Sequence, residues 1–116
     1  MANPVTWFEV SGKDGKKLQD FYGKLFEWKI DANNPMNYGM LQDVKEGIAG
    51  GIGPSQDGST MVTFYVSVPD LQASLDKAEK LGGKTVMGPM DVPDGPTIAM
   101  FADPEGNVIG LLKPPQ

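Results

Sequence analysis

The fold is decided by the stretch Met100-Phe-Ala-Asp-Pro-Glu-Gly-Asn-Val-Ile-Gly-Leu-Leu112, in which two apolar runs flank Asp103-Pro-Glu-Gly106. Proline fixes φ at about −65° at the second position of a turn, and glycine is favoured at the fourth. These four residues therefore predict a type I turn. We expect a β-hairpin, with strands over residues 97–102 and 107–112.

The first half of the chain predicts one strand, one helix and three further short strands. Residues 5–10 alternate between two faces, as a strand does. Short strands are expected near 28–30, 38–42 and 48–52. A helix is expected over 15–26, and the apolar stripe that it should pack on a sheet consists of Leu18, Phe21, Tyr22, Leu25 and Phe26.

The second half repeats this plan. We expect a strand over 61–68, followed by a helix from Asp70 to about Leu81 that Gly82-Gly83 ends. A strand over 84–87 and a long loop should then precede the hairpin.

One constant offset aligns the two halves. It matches Val10 with Val66 and Leu25 with Leu81, and it keeps the elements and turns in the same order. This agreement indicates a duplication. The turn-rich linker after Pro54 divides the chain into modules 1–55 and 56–116.

The sequence resembles one known superfamily. An Asp-Pro-x-Gly-Asn turn that leads into an apolar final strand, after an earlier Phe-Tyr-x-x-x-Phe helix, is similar to the glyoxalase/bleomycin-resistance/extradiol-dioxygenase (vicinal oxygen chelate) superfamily. The resemblance covers nearly the whole chain. It implies an α+β fold of two βαβββ modules, with curved mixed sheets that form a cup and one helix per module on the outer face. In the enzymes of the family, the cup holds a divalent metal.

The composition excludes several classes of partner. With 116 residues, 40% hydrophobic and 22% charged, the chain is one small globular domain. Its net charge is −5 and its lysines are dispersed, so we expect no nucleic-acid partner. No apolar run is long enough to span a bilayer and the N-terminus does not resemble a signal peptide, so we expect no membrane partner and a cytoplasmic location.

The sequence also argues against the metal chemistry of the family. Cysteine and histidine are both absent, which removes disulfides, thiolate nucleophiles and imidazole ligands. The resemblance assigns the family's ligand positions to Trp7, Thr63 and Gly110, and the constant offset matches Gly110 with Pro54. None of these residues is an effective ligand of a divalent ion. We therefore expect no metal and no other cofactor.

The candidate site lies on the faces that the cup would present. Trp7 and Tyr65 offer large apolar rings with one polar group each, which suits a small apolar or aromatic molecule. Cavity filling or a dimer interface is the alternative reading of both rings. Glu9 is the candidate catalytic residue, and a solvated or interfacial carboxylate is its alternative. The expected ligand-binding residues are Trp7, Thr63, Tyr65, Met100, Gly110 and Leu112.

Three functions remain open on the sequence alone. The first is a metal-independent protein that binds a small molecule in the cup. The second is a metal-dependent lyase, isomerase or dioxygenase that uses Glu9, and the third is a homodimeric accessory module. Family members of this size commonly pair, so the resemblance implies a homodimer in each case.

Overall fold

The computed structural model describes residues 3–93 and 95–114. The elements are β1 (Val5–Gly12), α1 (Gly15–Phe26), β2 (Ile30–Asp31), β3 (Gly39–Leu41), β4 (Ala49–Pro54), β5 (Met61–Ser67), α2 (Leu71–Lys80), β6 (Lys84–Asp91), β7 (Thr97–Ala102) and β8 (Val108–Lys113). The order βαβββ occurs twice, which confirms the predicted α+β class. Within the described residues, no helix combines the length and the apolarity needed to cross a bilayer.

The chain forms two compact units. The N-terminal unit is Trp7–Thr63, and the C-terminal unit contains the segments up to Thr6 and from Phe64 onward. These units follow from contacts within the folded chain, whereas the boundary between residues 55 and 56 marks the sequence repeat and stays a prediction.

In the N-terminal unit the strand order is β2-β3-β4-β1. β1 runs parallel to β4, with Glu9 opposite Gly51, and β3 runs antiparallel to β4, with Met40 also opposite Gly51. Helix α1 begins at an N-cap, Asp14, whose carboxylate accepts a hydrogen bond of 3.0 Å from the Lys17 amide. These registers put Glu9, Gly51 and Met40 in one row across the sheet.

The packing of α1 differs from the predicted stripe. Leu18 and Tyr22 are partly buried, whereas Phe21, Leu25 and Phe26 are 57%, 57% and 52% exposed. The reason is that Gly15 faces the sheet: a Cβ there would lie 2.5 Å from the backbone nitrogen of Pro54. The helix backbone therefore lies close against β4, and the sheet packing predicted for the three exposed side chains is wrong.

In the C-terminal unit the strand order is β5-β8-β7-β6. β5 runs parallel to β8, and β7 is antiparallel to both β8 and β6. Helix α2 covers one face of this sheet, and Asp70 caps it by accepting a hydrogen bond of 3.0 Å from the Ala73 amide. The buried core under α2 consists of Val68, Leu71, Leu75, Ala99 and Leu111.

The turn between β7 and β8 has the predicted hydrogen bond. The Gly106 amide donates to the Asp103 carbonyl at 2.9 Å, and Gly106 takes φ +94°. The Asp103 carboxylate accepts hydrogen bonds from the side chain of Asn107 and from the amides of Glu105 and Asn107. The Asn107 side chain makes the largest contribution, followed by its amide, and these bonds lower the pKa of Asp103 below its ordinary value.

The strand registers correct the gapless alignment of the two halves. Glu9 corresponds to Tyr65 at the offset of the sequence repeat, because each is the β1 or β5 residue opposite a glycine of the parallel strand. Those glycines are Gly51 and Gly110, and Gly110 lies three positions beyond the place that the same offset from Gly51 would give. Gly51, and not Pro54, is therefore the counterpart of Gly110.

The sixth strand is also longer than expected. β6 extends to Asp91, with two register shifts against β7, where a loop was expected from residue 88. Pairing with β7 therefore continues through most of the segment that the sequence assigns to that loop.

Candidate functional site

A chain of hydrogen bonds joins three side chains on one face of the N-terminal sheet. The Trp7 indole Nε1–H donates to the Tyr38 hydroxyl oxygen at 3.0 Å. The Tyr38 hydroxyl in turn donates to Glu9 Oε2 at 2.8 Å. Trp7 and Glu9 are two residues apart on β1, so both side chains project from the same face. All three are partly buried, so the tyrosine orients the indole and the carboxylate together.

Tyr38 is placed by two glycines of β4. A Cβ at Gly51 would overlap the tyrosine ring, and a Cβ at Gly53 would lie 3.0 Å from Cδ1 of the same ring. Gly51 and Gly53 are two residues apart and face the same side of the sheet. The ring therefore lies flat in the space that two missing side chains leave on this strand.

The backbone around Tyr38 is also fixed. The Asn34 side chain accepts a hydrogen bond from the Tyr38 amide at 2.9 Å and donates one to the Tyr38 carbonyl at 2.7 Å. Gln19 of α1 donates through Nε2 to the carbonyls of Asn37 and Ile52, at 2.9 and 2.7 Å. The loop before β3 is thus held by side chains of known position, and the Tyr38 hydroxyl is preorganised.

The sequence prediction missed Tyr38, although a signal was present. The pair Gly50-Gly51 in a predicted strand leaves space on both faces of the sheet, and glycine inside a strand marks close approach by another group. The Phe8 ring fills the space at Gly50, and Tyr38 fills the space at Gly51. A search for the aromatic residues that cover these glycines would have included Tyr38.

Four of the predicted ligand-binding residues share a face of the C-terminal sheet. Tyr65 of β5 and Met100 of β7 both pair with Gly110 of β8, and Leu112 follows in the next row. A Cβ at Gly110 would overlap the Tyr65 ring, so this ring covers the glycine. The row continues to Met87 of β6, which pairs with Met100.

This face is apolar and becomes more exposed toward β6. Tyr65 is 5% exposed, Met100 and Leu112 are partly buried, and Met90, next to Ile98, is 47% exposed. Thioethers adapt to ligands of varied shape and make favourable contacts with aromatic rings. The C-terminal unit thus presents an adaptable apolar surface opposite the face that α2 covers.

The remaining predicted residues belong to the N-terminal unit. Trp7 and Glu9 are brought together by Tyr38. Thr63 is 5% exposed and is the buried polar residue of β5. The predicted site residues therefore divide between the two units, with Trp7, Glu9 and Thr63 in one unit and Tyr65, Met100, Gly110 and Leu112 in the other.

The residues at the family's metal positions do not fit a divalent cation. Gly110 has no side chain and Tyr65 covers it, while the Trp7 N–H is a donor and is already bonded to Tyr38. Glu9 is the single carboxylate of this hydrogen-bonded group. Across residues 3–93 and 95–114, no three His, Cys, Asp or Glu side chains are grouped as a metal would require.

A separate open cavity of about 320 Å³ lies along the flank of α1. It contains none of the predicted site residues. Its lining residues are Lys16, Gln19, Asp20, Gly23, Lys24, Trp28, Ile30 and Ala32. An exposed ion pair, Lys16 to Asp20 at 3.5 Å, crosses its rim, so this cavity is a solvated groove beside the helix.

Comparison with curated proteins identifies relatives over nearly the whole chain. CFP32 of Mycobacterium tuberculosis, which carries the name glyoxylase, is 29% identical over 92% of the chain and 44% of its own length. The anthracycline biosynthesis protein DnrV of Streptomyces peucetius is 30% identical over 92% of the chain and 46% of its own length. The chain thus spans less than half the length of these two relatives.

Solved structures share the fold at low identity. A hypothetical protein from Bacillus halodurans superposes with a TM-score of 0.72 at 10% identity, and covers 100% of the chain and 97% of its own length. The methylmalonyl-CoA epimerase of Mycobacterium tuberculosis gives 0.68 at 14% identity, over 97% of the chain and 88% of its own length. A family model matches residues 5–111, so the chain belongs to the Glyoxalase/Bleomycin resistance protein/Dioxygenase superfamily.

Proposed function

We propose that the chain binds a small apolar or aromatic molecule on the face that carries Tyr65, Met100 and Leu112, without a metal. The observation that carries the proposal is the cross-strand row in which Gly110 stands between Tyr65 and Met100. At the position where the resemblance expects a ligand carboxylate, this row has a glycine under an aromatic ring. The remaining side chains offer apolar contact and no charge, which favours a neutral, flat ligand.

The name of one relative suggests a first probe. DnrV is named for anthracycline biosynthesis, and anthracyclines are polycyclic aromatic compounds. A hydroxylated anthraquinone has the same flat shape and a few polar groups at its edge. It would contact Tyr65 through its ring and the thioethers of Met87 and Met100 through its edge.

Methionine-methyl NMR tests the proposal at residue resolution. With ¹³C-methyl methionine, titration with a hydroxylated anthraquinone and a panel of small aromatic compounds should shift Met100 and Met87. Met36, which is 66% exposed on a loop of the other unit, should stay unchanged. Saturable shifts at Met100 that survive a chelator support a metal-independent site. Shifts that need added Zn²⁺ or Mn²⁺ would reject the metal-independent part.

A matched pair of variants gives the control. Met100→Gln keeps the length of the side chain but places an amide on the apolar face, and we expect it to weaken binding about tenfold, the equivalent of about 1.4 kcal/mol. Met36→Gln makes the same change at an exposed position and should leave binding unchanged. Equal weakening by both variants, or a panel that never shifts Met100, would contradict the proposal.

A second candidate, proton-transfer catalysis by Glu9, is favoured by the hydrogen bond from Tyr38 to its carboxylate. A positioned carboxylate is suited to act as a general base. If Glu9 has this role, a bound ligand with an acidic C–H should exchange it for deuterium in D₂O, and Glu9→Gln should abolish the exchange without weakening binding. Exchange at the same rate in both proteins would reject it. The homodimer, the cytoplasmic location and the absence of nucleic-acid and membrane partners stay predictions.

A further inference from the structure

Helix α1 carries an unusually apolar exposed surface. Phe21 and Leu25 are each 57% exposed, and Phe26 is 52% exposed. Tyr22 and Trp28 lie among them and are partly buried. We call these five residues the α1 aromatic surface. Large apolar side chains that stay grouped and exposed mark a surface that another molecule covers.

The rings of this surface are packed against one another. The Phe21 and Tyr22 rings meet edge to face with centroids 5.0 Å apart, and the Phe26 and Trp28 rings are 4.9 Å apart. Tyr22 stacks on Phe26 and on Trp28, each at 6.3 Å. The surface is therefore preorganised, and a partner does not have to immobilise free side chains when it binds.

The second helix is an internal control for this feature. α2 buries Leu71 and Leu75 and turns polar or small side chains outward. Its exposed residues are Gln72, Ala73, Asp76, Lys77, Glu79 and Lys80. α1 occupies the same place in its own module but exposes three large apolar side chains, so exposure is a property of α1 and not of the fold.

We propose that a second copy of the chain covers the α1 aromatic surface, with the two α1 helices packed antiparallel about a two-fold axis beside Tyr22. The charges on α1 fit this arrangement. Lys17 and Glu27 are exposed and stand five positions before and after Tyr22. In an antiparallel pair centred there, Lys17 of each copy faces Glu27 of the other, so the surface is complementary to itself.

The area is consistent with a moderate dimer. Three side chains of roughly 150–250 Å², each about half exposed, offer about 300 Å² of apolar surface per copy. Two copies thus supply about 600 Å² as the centre of an interface, whereas stable interfaces bury about 1,200–2,000 Å² in total with a polar rim. We therefore expect a dimer that dissociates on dilution. The surface shares no residue with the proposed ligand face, so either proposal can fail alone.

Sedimentation velocity over a hundredfold range of concentration tests the proposal. The wild-type protein should pass from monomer to dimer. Leu25→Glu should keep its circular dichroism spectrum and remain monomeric. Leu81→Glu is the matched control, because Leu81 is 71% exposed at the end of α2. This control should dimerise as the wild type does. A monomer at every concentration, or equal loss in both variants, would overturn the proposal.

Charge reversal tests the antiparallel orientation. Lys17→Glu and Glu27→Lys should each place like charges together and weaken the dimer by about threefold to tenfold. The double variant reverses both charges and should restore the wild-type dissociation constant, and added salt should reduce all of these differences. A double variant that is weaker than either single variant would rule out the antiparallel pairing.

Discussion

The two units fill the same empty position in different ways. Gly51 in the N-terminal unit and Gly110 in the C-terminal unit are counterparts in their sheets, and a tyrosine ring covers each. In the C-terminal unit, β5 itself supplies the ring through Tyr65. In the N-terminal unit, β1 has Glu9 at that place, and the ring comes from Tyr38 in the preceding loop.

This difference shows how one architecture yields two surface chemistries. A ring supplied by the neighbouring strand is buried, and the face that remains is apolar. A ring supplied by a loop leaves β1 free to carry a carboxylate, which the tyrosine hydroxyl then holds. Interiors leave few voids, so a glycine in the middle of a strand requires a covering group, but the sheet does not dictate where that group comes from.

The largest expected effect is the truncation of the strand-supplied ring. Tyr65→Ala should lower the free energy of unfolding by about 3–5 kcal/mol, because Tyr65 is 5% exposed and its loss leaves a cavity over Gly110. Tyr38→Ala should cost only about 1–2 kcal/mol, since Tyr38 is partly buried and water can reach the space. Urea unfolding measures both. Equal losses would remove the distinction between the two rings.

The next effect comes from filling the glycine position itself. Gly110→Ala should cost about 2–3 kcal/mol because Tyr65 cannot leave its strand. Gly51→Ala should cost about 1 kcal/mol, as the Tyr38 loop can move outward. Gly88→Ala is the control, because a Cβ there meets no atom within 4 Å. Unfolding in urea again provides the measurement, and a Gly51→Ala loss above that of Gly110→Ala would reverse the comparison.

A smaller effect isolates the hydroxyl of the loop-supplied ring. Tyr38→Phe keeps the ring over Gly51 but removes the bonds to Trp7 and Glu9, and should cost about 1 kcal/mol. In a double-mutant cycle with Glu9→Gln, most of this loss should appear as coupling. Tyr22→Phe is the control, because the Tyr22 hydroxyl makes no hydrogen bond within residues 3–93 and 95–114. Additive losses would mean that the bond to Glu9 contributes little.

The smallest effect is a dependence on acid pH at the turn of the C-terminal unit. The pKa of Asp103 is lowered, chiefly by the Asn107 side chain. Its contribution to stability is complete above the unfolded value of about 3.9 and is lost as the pH falls through the folded value. Asn107→Ala should raise the pKa of Asp103 in a carboxyl ¹³C titration. It should leave unchanged the pKa of Asp57, which a hydrogen bond from Ser59 lowers.

Local patterns allowed much of the fold to be predicted from the sequence. The turn at Asp103 and the order of strands and helices depend on residues that are close in sequence, where proline, glycine and periodicity act directly. The sheet-facing side of α1 was misjudged because five apolar residues in one helix are compatible with more than one stripe. The choice is made by Gly15, whose contact with Pro54 joins distant parts of the sequence.

The candidate site was harder to predict for the same reason. Trp7, Glu9 and Tyr65 follow from strand alternation alone. Tyr38 lies 29 residues from the carboxylate to which it donates, and nothing local to it indicates that contact. The correspondence of Gly51 with Gly110 was also hidden, since it appears only when the registers of both sheets are known.

The change of offset between the two modules has an evolutionary consequence. Residues of β1 and β5 correspond at one offset, while those of β4 and β8 correspond at an offset that is three positions longer. Three is an odd number, and an odd shift turns every side chain of a strand to the opposite face. A recombination event that exchanged the final strands at the offset of the first strands would place buried residues in solvent. Selection against such products would keep the two copies from converging, so each has been free to acquire its own surface.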